Sequence, residues 1–208
     1  MQDSPPRRIE FWFDFGSNYS YISAMRIAEL AARNGVEVAW NPFLLGPIFK
    51  SFGWDTSPFV LQKEKGAYTW KDMARQCKKY GLPWRQPSSF PRAAVLPSRV
   101  ALFAQGTPWH GEFCRRVFAL NFAEDRDVHT PEAVTGILEQ LGVPAAEVLQ
   151  QAQSDAIKLR LRQQTEMAVA RGVFGAPTFF AAGEMFWGND RLEDALAHAA
   201  GTPPAGSV

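Results

Sequence analysis

The sequence predicts an α/β fold in which a βαβ unit and a ββα unit share one sheet, with a long helical segment inserted between them. An aromatic strand ends in Gly16-Ser17 and passes directly into an amphipathic helix. A second β-prone run begins at Pro177, whereas strand signals are almost absent from Gly46 to about Arg171. Two domains in series would leave a two-stranded βαβ unit without partners, so an insertion into one sheet is the economical interpretation.

The βαβ unit comes first in the chain. Arg8–Phe15 is rich in aromatic residues and is followed by Gly, which indicates a strand. Ser17 or Ser20 can cap the next helix, which ends at Asn34-Gly35. Val36–Leu45 alternates as Val-x-Val-x-Trp, and a right-handed crossover would place this second strand parallel to the first.

The inserted segment shows recurring helical periodicity between Gly-x-Pro breaks. Thr130-Pro131-Glu132 is typical of a helix start, with Thr as the cap and Pro in the first helical position. The predicted helices cover about 66–80, 92–105, 108–122, 131–141, 145–151 and 153–171.

The ββα unit closes the chain. Thr178–Ala182 and Glu184–Trp187 are short β-prone runs joined at Ala182-Gly183, a tight hairpin signal. Asn189-Asp190 is expected to cap a final helix. We therefore predict one part from residues 8–45 plus 172–200, a helical insertion over 46–171 and a disordered tail over 201–208.

Composition restricts the classes of partner. A net charge of +1 without a Lys/Arg-rich run argues against nucleic acid. No apolar run reaches the roughly 18 residues of a membrane span, and no signal-peptide core follows the first basic residues. We expect a cytoplasmic protein without membrane or nucleic-acid partners. Cys77 and Cys114 are expected to be free, and the three scattered histidines predict no metal site.

Ser17 is the main candidate for chemistry. It stands at a strand–helix junction, where Ser is most often a plain N-cap. The same position gathers a hydroxyl and several unpaired backbone N–H groups at the positive end of a helix dipole. Helix N-termini favour anions and lower thiol pKa values, so the hydroxyl could instead donate to a substrate thiolate. The two roles are compatible.

Two later motifs also allow two interpretations. Pro177 could stop a helix, or could form a cis bond before an edge strand and turn the backbone of Ala176 toward a peptide-like ligand. Asn189 and Asp190 could be simple caps. They could also hold the zwitterionic end of a ligand, with the carboxylate taking an ammonium group.

Further motifs extend along most of the chain, from about residue 8 to 199. They are Phe-Asp-Phe-Gly-Ser-x-x-Ser-Tyr at 13–21, Gly-Pro-Ile-Phe-Lys at 46–50, Gly-Trp-Asp-Thr-Ser-Pro-Phe at 53–59, Lys-Gly-x-Tyr at 65–68, Gly-Leu-Pro at 81–83, Asn-Phe-Ala-Glu at 121–124, Phe-Gly-Ala-Pro-Thr-Phe at 174–179 and Phe-Trp-Gly-Asn-Asp-Arg-Leu at 186–192. Together these motifs resemble the 2-hydroxychromene-2-carboxylate isomerase family, for which the set is highly specific, although any one motif alone is not. This family is glutathione-dependent and has a DsbA-like thioredoxin fold close to that of kappa-class glutathione transferases.

The resemblance implies a role for individual residues. Ser17 would be the catalytic serine that stabilises the glutathione thiolate, and Ala176 before Pro177 would pair with the cysteinyl backbone of glutathione. Lys50 would meet a substrate carboxylate, although a solvated lysine is an equally good interpretation. The remaining glutathione-binding positions would be Asp55, Trp187, Gly188, Asn189 and Asp190. Asp55 stands where relatives commonly carry Asn.

These observations favour an isomerase that uses glutathione as a regenerated cofactor and acts on a small aromatic or conjugated carboxylate. A transferase that releases the glutathione adduct, and a non-catalytic glutathione- or peptide-binding protein, are the alternatives. Thiol–disulfide exchange is disfavoured because positions 17 and 20 both carry Ser. Relatives are often dimers, and the aromatic residues Phe49, Phe52, Trp54 and Phe59 would suit either a homodimer interface or a substrate pocket.

Overall fold

A computed structural model describes residues 7–201, which form one four-stranded mixed sheet surrounded by helices. The strand order is β2-β1-β3-β4, with β1 parallel to β2 and antiparallel to β3. The strands are β1 (Arg8–Phe13), β2 (Glu37–Pro42), β3 (Thr178–Ala181) and β4 (Glu184–Trp187). The helices are α1 (Asn18–Arg33), α2 (Leu45–Ser51), α3 (Pro58–Leu61), α4 (Lys63–Tyr80), α5 (Val95–Phe103), α6 (His110–Phe122), α7 (Pro131–Gln140), α8 (Ala145–Ala152), α9 (Asp155–Ala170) and α10 (Leu192–Ala200).

The predicted βαβ and ββα units are therefore confirmed, with shorter strands than expected. β1 ends at Phe13, because Asp14 already turns the chain toward α1. β2 ends at Pro42, and Leu45 begins α2, which the sequence did not predict. α3 was also missed. Helices of 7 and 4 residues carry too few positions for a helical period to be recognised.

The core runs without interruption from the sheet into the inserted helices. Phe13 and Phe15 contact Phe118 of α6 at ring-centroid distances of 5.6 and 4.9 Å. A second apolar cluster on the opposite face of the sheet joins Trp12, Phe43 and Phe180 to Ala168 on α9 and to Val173 after it. The end of β1, where Phe13 lies, is thus fixed from both faces.

The boundary of the insertion at 46–171 stays a prediction.

Other expectations concern thiols, metals and membranes. Cys77 and Cys114 are free and buried, as expected. Among residues 7–201 no group of His, Cys, Asp and Glu side chains is arranged to hold a metal ion. In the same part of the chain, no helix is long and apolar enough to cross a lipid bilayer. The predicted disordered tail lies outside the described residues except for Gly201.

Candidate active site

Ser17 caps α1, as the sequence predicted. Its backbone is extended, and its Oγ accepts a hydrogen bond from the N–H of Ser20 at 3.2 Å. Only 7% of the residue is exposed. The hydroxyl therefore lies at the positive end of the α1 dipole in a largely desolvated position, where an anionic partner is favoured.

The Ser17 hydroxyl also joins the two motifs that the sequence singled out. Its Oγ donates to the carbonyl oxygen of Ala176 at 2.9 Å, although the two residues are 159 positions apart. The bond between Ala176 and Pro177 is cis. The sheet explains this meeting, because Trp12 near the end of β1 pairs with Thr178 at the start of β3. The loops that leave these two residues must lie side by side.

The first turn of α1 keeps polar groups available for a ligand. The N–H of Tyr19 donates to Asn18 Oδ1 at 3.0 Å, and the cap uses the N–H of Ser20. Asn18 Nδ2 and Ser20 Oγ are buried and have no hydrogen-bond partner within the described residues. Buried polar groups are nearly always satisfied, so orphaned groups at a helix N-terminus point to a missing partner. The sequence analysis did not single out Asn18.

The loop before Ser17 is held by Asp14. The Asp14 carboxylate accepts hydrogen bonds from the N–H groups of Gly16 and Leu45, both at 2.7 Å. The backbone carbonyl of Asp14 accepts a hydrogen bond from the N–H of Ser17 at 2.9 Å. Burial raises the pKa of the Asp14 carboxyl, while the two N–H donors act to lower it. Through Leu45, the same carboxylate fixes the start of α2 against the loop. In the sequence only an Asp two residues before a Gly indicates this role, and that signal is weak.

Trp187 and Gly188 lie beside the Ala176 loop. The Trp187 ring contacts Phe174 at a centroid distance of 4.8 Å, and a Cβ on Gly175 would lie 2.5 Å from Trp187 Nε1. Only glycine fits beneath that ring. Trp187 nevertheless remains 52% exposed, so about half of the residue is accessible to a ligand.

Asn189 and Asp190 do not cap the final helix. They begin a 3₁₀ turn (Asn189–Arg191) before α10, and neither that turn nor α10 has a side-chain cap. The buried Asn189 accepts hydrogen bonds through Oδ1 from Ser23 Oγ at 3.2 Å and from Arg26 at 3.4 Å. Asp190 is exposed and pairs only with Arg191 in the described structure. The neighbouring residues thus differ: Asn189 ties α1 to α10, and Asp190 faces solvent.

Lys50 and Asp55 lie on the inserted segment, and neither side chain makes a hydrogen bond or ion pair with any residue between 7 and 201. Lys50 is exposed on the last turn of α2, about 7.5 Å along the helix axis from Leu45. Asp55 is exposed in the following loop, next to Trp54. The structure therefore shows no direct contact between either residue and Ser17.

Tyr19 provides the contact between the inserted helices and the start of α1. Its hydroxyl donates to Asp72 on α4 at 2.7 Å, and its ring lies 6.4 Å from that of Phe59 on α3. Burial and the Asp72 carboxylate raise the pKa of the Tyr19 hydroxyl, so the group stays a donor. Helices α3 and α4 are thereby held against the Ser17 end of α1.

Comparison with known proteins supports the fold described above. The family model for the DSBA-like thioredoxin domain matches residues 8–200. A 2-hydroxychromene-2-carboxylate isomerase from Sphingobium xenophagum is 30% identical over 190 residues, which are 90% of this chain and 95% of the relative. Glutathione S-transferase kappa 1 of Rattus norvegicus is 24% identical over 90% of this chain and 88% of its own length.

A solved structure of selenomethionine 2-hydroxychromene-2-carboxylate isomerase is also similar. It superimposes with a TM-score of 0.80 at 27% identity, and the match covers 89% of this chain and 90% of that one. The similarity therefore extends over the sheet and the inserted helices together.

Proposed function

The chain belongs to the DSBA-like thioredoxin domain family and, within it, to the 2-hydroxychromene-2-carboxylate isomerases, and from this premise we propose how its site works. The protein is an enzyme that isomerises 2-hydroxychromene-2-carboxylate to trans-o-hydroxybenzylidenepyruvate, with glutathione as a regenerated cofactor. The observation that carries the proposal is the hydrogen bond between Ser17 Oγ and the carbonyl of Ala176. It brings a helix N-terminus suited to a thiolate and a backbone suited to a peptide to one point.

The residues present fit glutathione. Its peptide backbone requires an extended partner, and no hydrogen bond within residues 7–201 uses the N–H of Ala176 beside cis-Pro177. Its thiolate requires donors, which the first turn of α1 supplies through the backbone and through the buried, unpartnered Asn18 Nδ2. Trp187 and Gly188 would flank the tripeptide, and Asp190 would receive the ammonium group of its γ-glutamyl end.

The hemiketal ring of the substrate must first open by cleavage of its C–O bond, which leaves a double bond conjugated to a ketone. Bound glutathione would supply a thiolate that adds reversibly to this double bond and leaves again after rotation about the resulting single bond. In this scheme Ser17 supplies a hydrogen bond rather than a nucleophile. Its Oγ is engaged with Ala176 O and the N–H of Ser20, and within residues 7–201 no His or carboxylate side chain forms a hydrogen bond with it. To donate to a thiolate, the hydroxyl proton turns away from the Ala176 carbonyl. The α1 dipole and Ser17 then hold the negative charge.

The substrate would enter from the inserted segment. Lys50 carries a positive charge without an ion-pair partner in the described chain, which suits a substrate carboxylate. Phe49, Phe52 and Trp54 form a half-exposed aromatic group that suits a bicyclic ring, with Phe49–Trp54 and Phe52–Trp54 centroid distances of 5.9 and 5.6 Å. Asp55 beside them adds a negative charge that favours an ammonium or hydroxyl group over a second carboxylate. We also propose that the protein is a homodimer and is located in the cytoplasm.

Removal of glutathione tests the function. Purified protein that has been freed of glutathione by gel filtration should not convert 2-hydroxychromene-2-carboxylate, and added glutathione should restore turnover. S-methylglutathione is the matched control, because it retains the backbone and charges of the tripeptide but has no thiol. It should bind and fail to restore activity.

Three outcomes would change the proposal. Full turnover by glutathione-free protein would exclude the cofactor role. Consumption of glutathione in step with product would indicate a transferase, the activity named for the kappa relatives. Glutathione binding without any turnover of chromene carboxylates or other electrophiles would leave a binding protein.

A further inference from the structure

We propose that Asn121, oriented by Arg92, is a positioning residue that fixes the Phe15–Gly16 peptide and, through it, Ser17. The proposal rests on the function proposed above, since it concerns the same site. Asn121 touches neither Ser17 nor Ala176 through a hydrogen bond; it lies on α6, and its effect is exerted through the loop. The resemblance placed Asn121 within a motif at 121–124 but gave it no role.

The Phe15–Gly16 peptide is held at both ends. Asn121 Nδ2 donates to the carbonyl oxygen of Phe15 at 3.0 Å. The N–H of Gly16, on the opposite side of the same peptide, donates to the Asp14 carboxylate at 2.7 Å. Because a peptide unit is planar, two opposed hydrogen bonds fix its rotation. The next residue is Ser17, so this rotation sets where its Oγ lies.

Arg92 determines which way the Asn121 amide faces. An Arg92 nitrogen donates to Asn121 Oδ1 at 2.9 Å and to the carbonyl of Asn121 at 3.3 Å. A guanidinium group has only donors, so the amide oxygen must face it and Nδ2 must face the Phe15 carbonyl. With Arg92 removed, the Asn121 amide could flip and place its Oδ1 against the carbonyl oxygen of Phe15.

Arg92 itself is anchored and stands against the loop. Only 8% of its side chain is exposed, and it pairs with Asp125, whose pKa is lowered to about 2 by hydrogen bonds from Ser88 and Arg92. The carbonyl of Arg92 would lie 3.1 Å from a Cβ placed on Gly16. The loop therefore rests directly on the segment that carries Arg92. The Arg92 side chain orients Asn121, and the Arg92 carbonyl packs against Gly16 of the same loop.

Asn121→Asp tests this role. Aspartate has the same shape and still accepts from Arg92, but it has no donor for the Phe15 carbonyl. We expect kcat to fall roughly ten- to a hundredfold, because small misplacements of reacting groups have effects of this size. The thiol pKa of bound glutathione, followed by thiolate absorbance near 240 nm, should rise. Amide hydrogen exchange at Gly16 and Ser17, measured without glutathione, should accelerate about tenfold or more.

Val134→Ala is the matched control. Val134 is fully buried on α7 and belongs to the same core cluster, so its truncation lowers thermal stability without touching the loop. It should leave kcat, the thiol pKa and the two amide exchange rates near their wild-type values. Arg92→Lys, which keeps a charge for Asp125 and loses the fixed fork of donors, should give an intermediate effect.

The outcomes separate the two proposals. Wild-type protein that neither binds nor requires glutathione would defeat the proposed function, and the exchange rates at Gly16 and Ser17 would still decide the role of Asn121. Unchanged exchange and unchanged kcat in Asn121→Asp would overturn the positioning role even if glutathione were confirmed. A loss of activity no greater than that of Val134→Ala at equal melting temperature would overturn it as well.

Discussion

The two walls of the candidate site are built differently. The loop wall consists of residues 14–17 with Ala176 and Pro177, and hydrogen bonds from buried or half-buried groups fix its polar atoms. The insertion wall consists of residues 45–61, where Phe52 is 51% exposed and Trp54 is 36% exposed. The groups proposed for chemistry therefore stand on the wall that hydrogen bonds hold in place, and the groups proposed for substrate recognition stand on the more exposed wall.

The physical origin of this difference lies in the length of the elements. The loop wall joins β1 and β3, which pair with each other inside the sheet, to the 16-residue helix α1. The insertion wall is made of helices of 7 and 4 residues, and α3 buries none of its residues. Short helices gain little from their own hydrogen bonds, so this wall depends on contacts with the rest of the chain. These are the Leu45 N–H bond to Asp14, the buried Ile48 in the second apolar cluster, and the packing of α3 against Tyr19 and α4.

Ser17→Ala should have the largest effect on the loop wall. Loss of one hydrogen bond to a charged group costs about 1.5–3 kcal/mol, which corresponds to a roughly ten- to a hundredfold fall in kcat. The pKa of bound glutathione should rise, so the pH profile should shift to higher pH. Thiolate absorbance near 240 nm measures the pKa, and initial rates at a series of pH values measure the profile. Ser17→Thr, which keeps a hydroxyl and a cap, is the control; superimposable titrations of Ser17→Ala and wild type would reduce Ser17 to a cap.

Substitutions of the neighbouring residues Asn189 and Asp190 should have different effects, the first on stability and the second on glutathione binding. Asn189→Ala removes the acceptor for Ser23 and Arg26, so stability should fall by about 1–3 kcal/mol. Asp190→Ala should leave the melting temperature nearly unchanged and weaken glutathione binding by about 1.5–3 kcal/mol. Calorimetry of both variants checks this. Equal glutathione affinity in Asp190→Ala and wild type would remove Asp190 from the binding site.

Trp54→Ala should have the smallest effect and should be confined to the insertion wall. Loss of one aromatic contact is worth about 0.5–1.5 kcal/mol, so KM for the chromene carboxylate should rise roughly three- to tenfold. Glutathione affinity and kcat should stay near wild type. Leu159→Ala, which removes an apolar side chain 43% exposed on α9, is the control. A fall in kcat without a change in KM would contradict the assignment of Trp54 to substrate binding.

The sequence predicted the sheet and the Ser17 end of α1 because both depend on local chemistry. Strand alternation, a Ser at a strand–helix junction and Pro before a β-prone run are readable in adjacent residues. α2 and α3 were not predicted, since they owe their place to Asp14 and to α4 rather than to periodicity. There a Cβ on Gly66 would lie 2.1 Å from the Phe59 carbonyl, so α3 and α4 pack too closely for any other residue.

The residues that support the Ser17 loop, Asn121 and Arg92, could not be predicted from the sequence for a different reason. Asn121 meets the Phe15 carbonyl across 106 positions, and Arg92 meets Asn121 across 29. Neither pairing leaves a pattern in one sequence. Asn189 illustrates the reverse case, because its position after Gly188 is typical of a cap, yet the structure uses its side chain to hold α1.

The burial of both cysteines has a consequence for redox tolerance. Burial raises the pKa of Cys77 to about 11 and that of Cys114 well above its ordinary value, so neither is a thiolate at neutral pH. Oxidised glutathione and peroxides attack accessible thiolates. With the reactive sulfur supplied by glutathione, as proposed above, an oxidised cofactor would dissociate and be replaced, and neither cysteine of the protein would have to be reduced.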